Sequence, residues 1–221
     1  MATEIRALGE SALVVRVGES LGEVLRTRQK LVAAKLPGVI EVAPALASVA
    51  VFFETPPDLE AAAETVRTTL RKRISAGQKA LRPRKIAVPV CYETEFGPDL
   101  QTVAEQSELQ PDEVVRRHAA ARYQVACLGF TPGFPYLHGL PARLATPRLS
   151  SPRTRVAAGS VAIGGKQAGI YPQASPGGWN IVGRTPLRLF DLARTSPTLL
   201  RPGDRVRFFP ITREEFEKWE K

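Results

Sequence analysis

Residues 156–184 read VAAGSVAIGGKQAGIYPQASPGGWNIVGR. Within this stretch the apolar runs Ser160 to Ile163, Gly169 to Tyr171 and Trp179 to Val182 are only three or four residues long and are divided by Gly and Pro. Such runs are strand-sized and too short for helices, and the glycines and prolines between them mark turns. Working outward, Tyr123 to Leu128, Val156 to Ala158, Leu187 to Phe190 and Arg205 to Phe209 read the same way, and no helical period survives after Tyr123. Seven short strands so punctuated predict a closed or nearly closed β-barrel.

The chain before this region has a different texture. Ala12 to Val17 is an apolar strand, and Leu21 to Leu36 has helical spacing and ends at Pro37 and Gly38. Val39 to Val42 and Ser48 to Phe53 form a predicted strand pair, and Pro57 and Asp58 open a second helix running to about Arg73. That order predicts a small α/β sandwich with helices over one face of a sheet. Composition shifts between Ile74 and Arg84 to a polar, glycine-containing stretch without period. The boundary is therefore placed near Ala80, dividing an N-terminal domain over 1–80 from a barrel domain over 81–221. The fold class is α+β. Ile86 to Tyr92 is a strand with Pro89 in it, expected at a sheet edge or its start. Two short helices follow, at Asp99 to Gln106 and from Pro111 to about Arg122, and Arg213 to Lys221 reads as a short amphipathic helix or a tail.

With 221 residues and 43% hydrophobic content the chain can bury a sizeable core. No apolar run approaches the roughly 20 residues of a membrane span, and Met1 to Glu10 has no apolar h-region, so a cytoplasmic location is expected. Cys91 and Cys127 have no metal-ligand or disulfide-framework spacing and read as buried small hydrophobes.

The net charge of +9 is unevenly placed. Val114 to Phe190 holds no Asp or Glu, yet carries ten basic residues: Arg116, Arg117, Arg122, Arg143, Arg148, Arg153, Arg155, Lys166, Arg184 and Arg188. Ten of the 17 glycines also fall between Gly129 and Gly183. Glycine lets a ligand approach the backbone, and a guanidinium without a local acidic partner presents a fork to carboxylate or phosphate. The pattern points to an anion-accepting small-molecule site. A nucleic-acid partner is disfavoured because the arginines sit in Pro/Gly turns rather than interleaved with aromatics on strands. Phe130, Phe134, Tyr136, Tyr171 and Trp179 read mainly as core. A general-base carboxylate would have to come from outside the segment, from Asp191 or another subunit. His118 and His138 lack acidic neighbours and make no metal site. Ser160 to Gln167, SVAIGGKQ, fails as a P-loop: Ser160 replaces its first glycine and Gln167 its magnesium-binding hydroxyl residue.

Ordered blocks in this region carry a resemblance. Gly129-Phe-Thr-Pro-Gly-Phe-Pro-Tyr-Leu137, Thr146-Pro-Arg148, Ser151-Pro-Arg153, Ala158-Gly-Ser-Val161, Gly169-Ile-Tyr-Pro172, Ser175-Pro-Gly-Gly-Trp179, Gly183-Arg-Thr185 and Pro202-Gly-Asp-Arg-Val-Arg-Phe208 closely resemble the family of 5-oxoprolinase B subunits. That family is also labelled kinase A inhibitor or allophanate hydrolase subunit 1, of carboxyltransferase C/D type. The resemblance implies a cyclophilin-like barrel behind a small α/β domain. It also implies a non-autonomous hydrolase component acting with the C and A subunits to open 5-oxoproline to glutamate with ATP, the ATP being used by the complex and not bound by a P-loop here. Matching motif positions assigns Arg148 and Arg153 to anion contact, Ser160 and Gln167 to polar contacts, Tyr171 and Trp179 to pocket walls, and Gly177 and Gly178 to backbone approach, with His118 for proton transfer. Alternative roles within the resemblance are inhibition of a sensor histidine kinase or membership of an allophanate/urea-type amide hydrolase. Ala157 and Ala168 depart from the family's usual proline and threonine.

Overall fold

The computed structural model describes residues 4–72 and 83–219 and divides the chain into two compact units, Met1–Arg82 and Pro83–Lys221. The linker expected between Ile74 and Arg84 falls almost wholly outside the described residues.

In the first unit, strands β1 (Glu4–Ala7), β2 (Ala12–Arg16), β3 (Val39–Pro44) and β4 (Ser48–Phe53) form an antiparallel sheet in the order β1-β2-β4-β3. Alternation along β2 and β4 sends Leu13, Val15, Val49, Val51 and Phe53 into one core. Helices α1 (Leu21–Ala34) and α2 (Leu59–Arg71) close it with Val24, Leu31 and Val66. Helix α1 stops at Lys35, which turns left-handed at φ 46°, ahead of Pro37 and Gly38. Helix α2 starts on Asp58, whose carboxylate accepts the amides of Glu60 and Ala61 at 3.0 and 3.1 Å.

The second unit is a closed barrel. Strands β5 (Lys85–Cys91), β6 (Tyr123–Leu128), β7 (Pro135–His138), β9 (Ser160–Gly164), β10 (Gln167–Ile170), β12 (Asn180–Arg184) and β13 (Arg205–Ile211) run in the order β10-β7-β6-β13-β5-β12-β9. Strands β8 (Arg153–Val156) and β11 (Ser175–Gly177) make a separate two-stranded ribbon. Strand β5 is inside the closed barrel rather than at an edge. It pairs in parallel with β13 along its length but meets β12 only at Cys91, so one side of Pro89 lacks a ladder neighbour and its missing N–H is tolerated. Helices α3 (Leu100–Gln106), α4 (Pro111–Ala120) and α5 (Arg213–Trp219) complete the unit.

The stretch 187–190 is not a strand. It is held by a single bridge between Phe190 and Thr198 and by the Leu199 amide on the Leu189 carbonyl. The P-loop-like SVAIGGKQ is a β-hairpin: β9 runs to Gly164, Gln167 pairs back across from it, and Gly165 supplies φ 61° at the first position of the two-residue turn.

Candidate functional site

Successive side chains on a strand face opposite sides of the sheet, and here the two sides serve different ends. Val161, Ile163, Ala168, Ile170, Val182 and Leu137 belong to the barrel's apolar interior. Their immediate neighbours, Ala162, Gly164, Gly169, Ile181 and Tyr136, lie on the outer wall, where Phe134, Tyr171 and Trp179 pack in a second cluster. The small residues make this packing possible. A Cβ on Gly164 would meet the Trp179 indole, and one on Gly169 would meet the Phe134 ring at 2.7 Å. A Cβ on Gly177 would meet the Tyr171 hydroxyl. These glycines admit the rings by lacking a side chain.

Phe134 is the hub. It stands edge-to-face with Tyr136, Tyr171, Trp179 and Phe130 at centroid separations of 5.1, 5.2, 5.5 and 5.6 Å. The rings enclose a cavity of about 160 Å³, completed by Arg148, Leu149, Pro152, Gly177 and Gly178. That is far below the few hundred Å³ of drug-sized pockets and suits a small metabolite.

Arg148 is the cavity's cation. Its guanidinium lies 5.8 Å from the Trp179 ring centroid. Among the described residues it makes no ion pair or hydrogen bond, although several other basic residues of the segment are engaged. Arg116 and Arg117 both reach Glu113, at 2.6 and 2.5 Å, and Arg188 reaches Asp191 at 3.3 Å. Arg143 donates to the Ser107 carbonyl and Arg184 to the Ala158 carbonyl. The backbone of Arg148 is pinned from both sides. The buried Asn180 amide donates to the Pro147 carbonyl at 2.7 Å, and the Leu149 amide donates to the Gly178 carbonyl at 2.7 Å.

Burial raises the pKa of Tyr171, an effect opposed by the Trp179 backbone amide and the Arg148 charge. Burial likewise raises that of Tyr136. Both phenols are therefore neutral near pH 7 and present O–H donors beside the cation. The arrangement offers a positive fork, neutral hydroxyls and flat apolar walls, which is suited to a small ring bearing a carboxylate.

A larger open trough of about 560 Å³ lies along Ala158, Pro172, Arg184, Arg188, Asp191 and Leu192. Its arginines are already engaged by Ala158 and Asp191, so the smaller cavity is the better anion site. Among the described residues no cluster of His, Cys, Asp or Glu is able to hold a metal ion, and no helix is long and apolar enough to cross a membrane.

Comparison with known proteins agrees on one lineage. Residues 3–200 match the family described as Carboxyltransferase domain, subdomain C and D. The 5-oxoprolinase B subunit of Bacillus subtilis is 40% identical over 98% of this chain and 96% of its own length. That of Escherichia coli O157:H7 is 43% identical over 92% of this chain and 94% of its own length. The chain belongs to the family of 5-oxoprolinase B subunits.

Among solved structures, TTHA0988 superposes with a TM-score of 0.74 at 33% identity over 94% of this chain, which spans only 40% of the TTHA0988 chain. PH0987 from Pyrococcus horikoshii aligns over its whole length and 96% of this chain, with a TM-score of 0.59 at 36% identity. The Kluyveromyces lactis urea carboxylase, 22% identical with a TM-score of 0.75, shares the fold.

The positions matched to the motifs of the 5-oxoprolinase family separate in space. Arg148, Tyr171, Gly177, Gly178 and Trp179 line the cavity together. Arg153 does not line it. It lies across the β8–β11 ribbon from Gly177 and donates to Asp99 at 2.6 Å. Asp99 in turn accepts the Ile181 amide at 2.7 Å, so Arg153 ties the ribbon to β12 and to the start of α3. Ser160 and Gln167 are strand residues outside the cavity lining: the Ser160 carbonyl accepts the Tyr171 amide, and Gln167 closes the hairpin.

His118, expected to transfer protons, is corrected by its surroundings. It is fully buried, its ring stacks 4.7 Å from Phe208, and its Nδ1 meets the Tyr92 hydroxyl at 2.8 Å. Burial pulls its pKa down to about 3, so it is a neutral core residue outside the cavity lining. The resemblance does not assign Phe130, Phe134 and Tyr136 to the cavity. Their signal in the sequence is a set of aromatic residues matched by Ala162, Gly164 and Gly169 at alternate strand positions.

Proposed function

We propose that this chain is the B subunit of an ATP-dependent 5-oxoprolinase complex, acting with the C and A subunits, and that the Arg148 cavity binds the carboxylate of 5-oxoproline. The observation that carries the reading is an unpaired guanidinium over an indole, in a cavity the size of a small ring, within a chain that matches 5-oxoprolinase B subunits nearly end to end.

In this reading Arg148 forms a charge-assisted pair with the substrate carboxylate. The aromatic walls sandwich the lactam ring and exclude water, and the Tyr171 and Tyr136 hydroxyls donate to its oxygens. Opening the lactam needs an activated carbonyl, a water nucleophile and a general base. The cavity lining holds no carboxylate and no histidine, so the base and the ATP-dependent activation are assigned to the partner subunits and this chain to binding and orientation. The allophanate reading has narrower support, because the urea amidolyases of Lachancea kluyveri and Saccharomyces cerevisiae match only 30% of this chain.

The test is reconstitution with the two partner subunits and measurement of ATP hydrolysis dependent on 5-oxoproline. The reading expects activity from the complex, none from this chain alone, and loss of activity with Arg148→Ala. A complex that hydrolyses allophanate but not 5-oxoproline would replace it with the alternative.

A further inference from the structure

Phe130 sits in a way that neither local conformation nor burial accounts for. Its φ is 64°, in the left-handed region that a bulky side chain rarely occupies. The Thr131 amide donates to the Gly129 carbonyl at 2.7 Å across it, so Phe130 is the central residue of a γ-turn of the strained, positive-φ kind. Glycine would relieve that strain, and the same loop uses glycine at φ 84° at Gly133. Yet the position carries a phenylalanine that is 61% exposed, so little hydrophobic burial offsets the conformation. The loop holds it there through the Phe134 amide on the Thr131 carbonyl and the Gly129 amide on the Phe134 carbonyl, at 3.0 and 3.1 Å. The ring faces the cavity, edge-on to Phe134 and perpendicular to Tyr171 at 6.3 Å. A costly conformation that aims an exposed aromatic at a ligand cavity is the kind retained for binding.

We propose that Phe130 is a specificity-determining residue whose ring closes the mouth of the Arg148 cavity over the face of a closed lactam ring, favouring it over the ring-opened amino dicarboxylate. The proposal rests on the reading that this cavity binds 5-oxoproline. The chemistry follows from the mouth's apolarity. A lactam presents an uncharged ring face to Phe130, whereas the opened product carries an added ammonium and carboxylate that would lose hydration against it. Phe130 thereby holds substrate and lets product leave.

The experiment compares wild type, Phe130→Gly and Phe130→Leu in the reconstituted complex. It reads KM for 5-oxoproline, inhibition by L-glutamate, and the melting temperature. For Phe130→Gly the expected result is a KM for 5-oxoproline raised about tenfold with kcat largely kept, glutamate inhibition strengthened because the apolar ring that strips the product's hydration is gone, and a melting temperature equal or higher because the strain is gone. Phe130→Leu should lie between the two in KM. If wild type turns over 5-oxoproline and the variants do so with the same KM, the Phe130 assignment fails while the site reading stands. If Phe130→Gly instead abolishes co-purification with the partner subunits, Phe130 is a docking residue and the assignment is overturned. If wild type shows no dependence on 5-oxoproline, the site reading and this inference fall together.

Discussion

Inside the barrel, Val161, Ile163, Ile170 and Val182 join an apolar core that also encloses His118, whose ring is closed off from solvent. One residue along the same strands, Ala162, Gly164 and Gly169 face outward to a wall of aromatic rings around an unpaired arginine. The two faces share a backbone and differ in what their side chains leave open. The interior is filled, and its polar groups are sequestered or paired. The outer wall is hollowed by missing side chains, and Arg148 is left without a carboxylate. Interior substitutions should therefore alter stability alone, and only outer-wall substitutions should alter ligand binding.

The sharpest contrast is between two arginines five positions apart. Arg153→Ala leaves the Asp99 carboxylate, 7% exposed, without its ion-pair partner, and should cost about 3 kcal/mol in denaturant unfolding. Arg148→Ala should leave unfolding unchanged but lower kcat/KM for 5-oxoproline on the order of 100-fold in the reconstituted complex. Equal stability loss in both variants would break the comparison.

Packing provides the next test. Ile163→Ala should destabilise by about 3 kcal/mol through a core cavity while leaving KM unchanged. Gly169→Ala drives a methyl into Phe134 and Trp179. It should cost about 2 kcal/mol by overpacking and weaken ligand binding as well, read from unfolding and KM together.

Smallest near neutral pH, and growing only as the solution is acidified, is the titration response of the interior. The folded His118 pKa, about 3, lies below its ordinary value of 6.5, so the unfolded chain takes up the proton first. Its contribution is fully present above pH 6.5 and is lost as pH falls toward 3, at about 1.4 kcal/mol per pH unit in that window. His118→Phe with Tyr92→Phe, which removes the hydrogen-bonded pair, should flatten the loss in pH-dependent melting.

Much of this is legible in the sequence. The helix end at Lys35, Pro37 and Gly38 and the Asp58 cap are readable from residue type, as are most barrel strands from their apolar runs. Four strands escape for physical reasons, among them β8, whose Arg153, Thr154 and Arg155 form no apolar run and which is touched only at Val156. Strand β1 is an edge with little burial, β7 opens on a proline, and β11 is three residues of a ribbon. Motif position picks out Arg148, Tyr171 and Trp179, which the structure brings together around one cavity. Arg153 misleads because its partner Asp99 lies 54 positions away, beyond any local charge pattern. His118 misleads because a neutral core histidine and a catalytic one look alike until the packing around them is known. The glycine excess reads as room for a ligand; at Gly164, Gly169 and Gly177 it is room for the rings that wall the cavity.

The proposed site places the anion on Arg148 in the outer-wall cavity and not in the barrel interior. Equilibrium binding of 5-oxoproline to the assembled complex, followed by the fluorescence of Trp179 beneath that guanidinium, tests it most directly. Binding should be saturable, abolished by Arg148→Ala and left intact by His118→Phe. Undiminished binding by Arg148→Ala would contradict it.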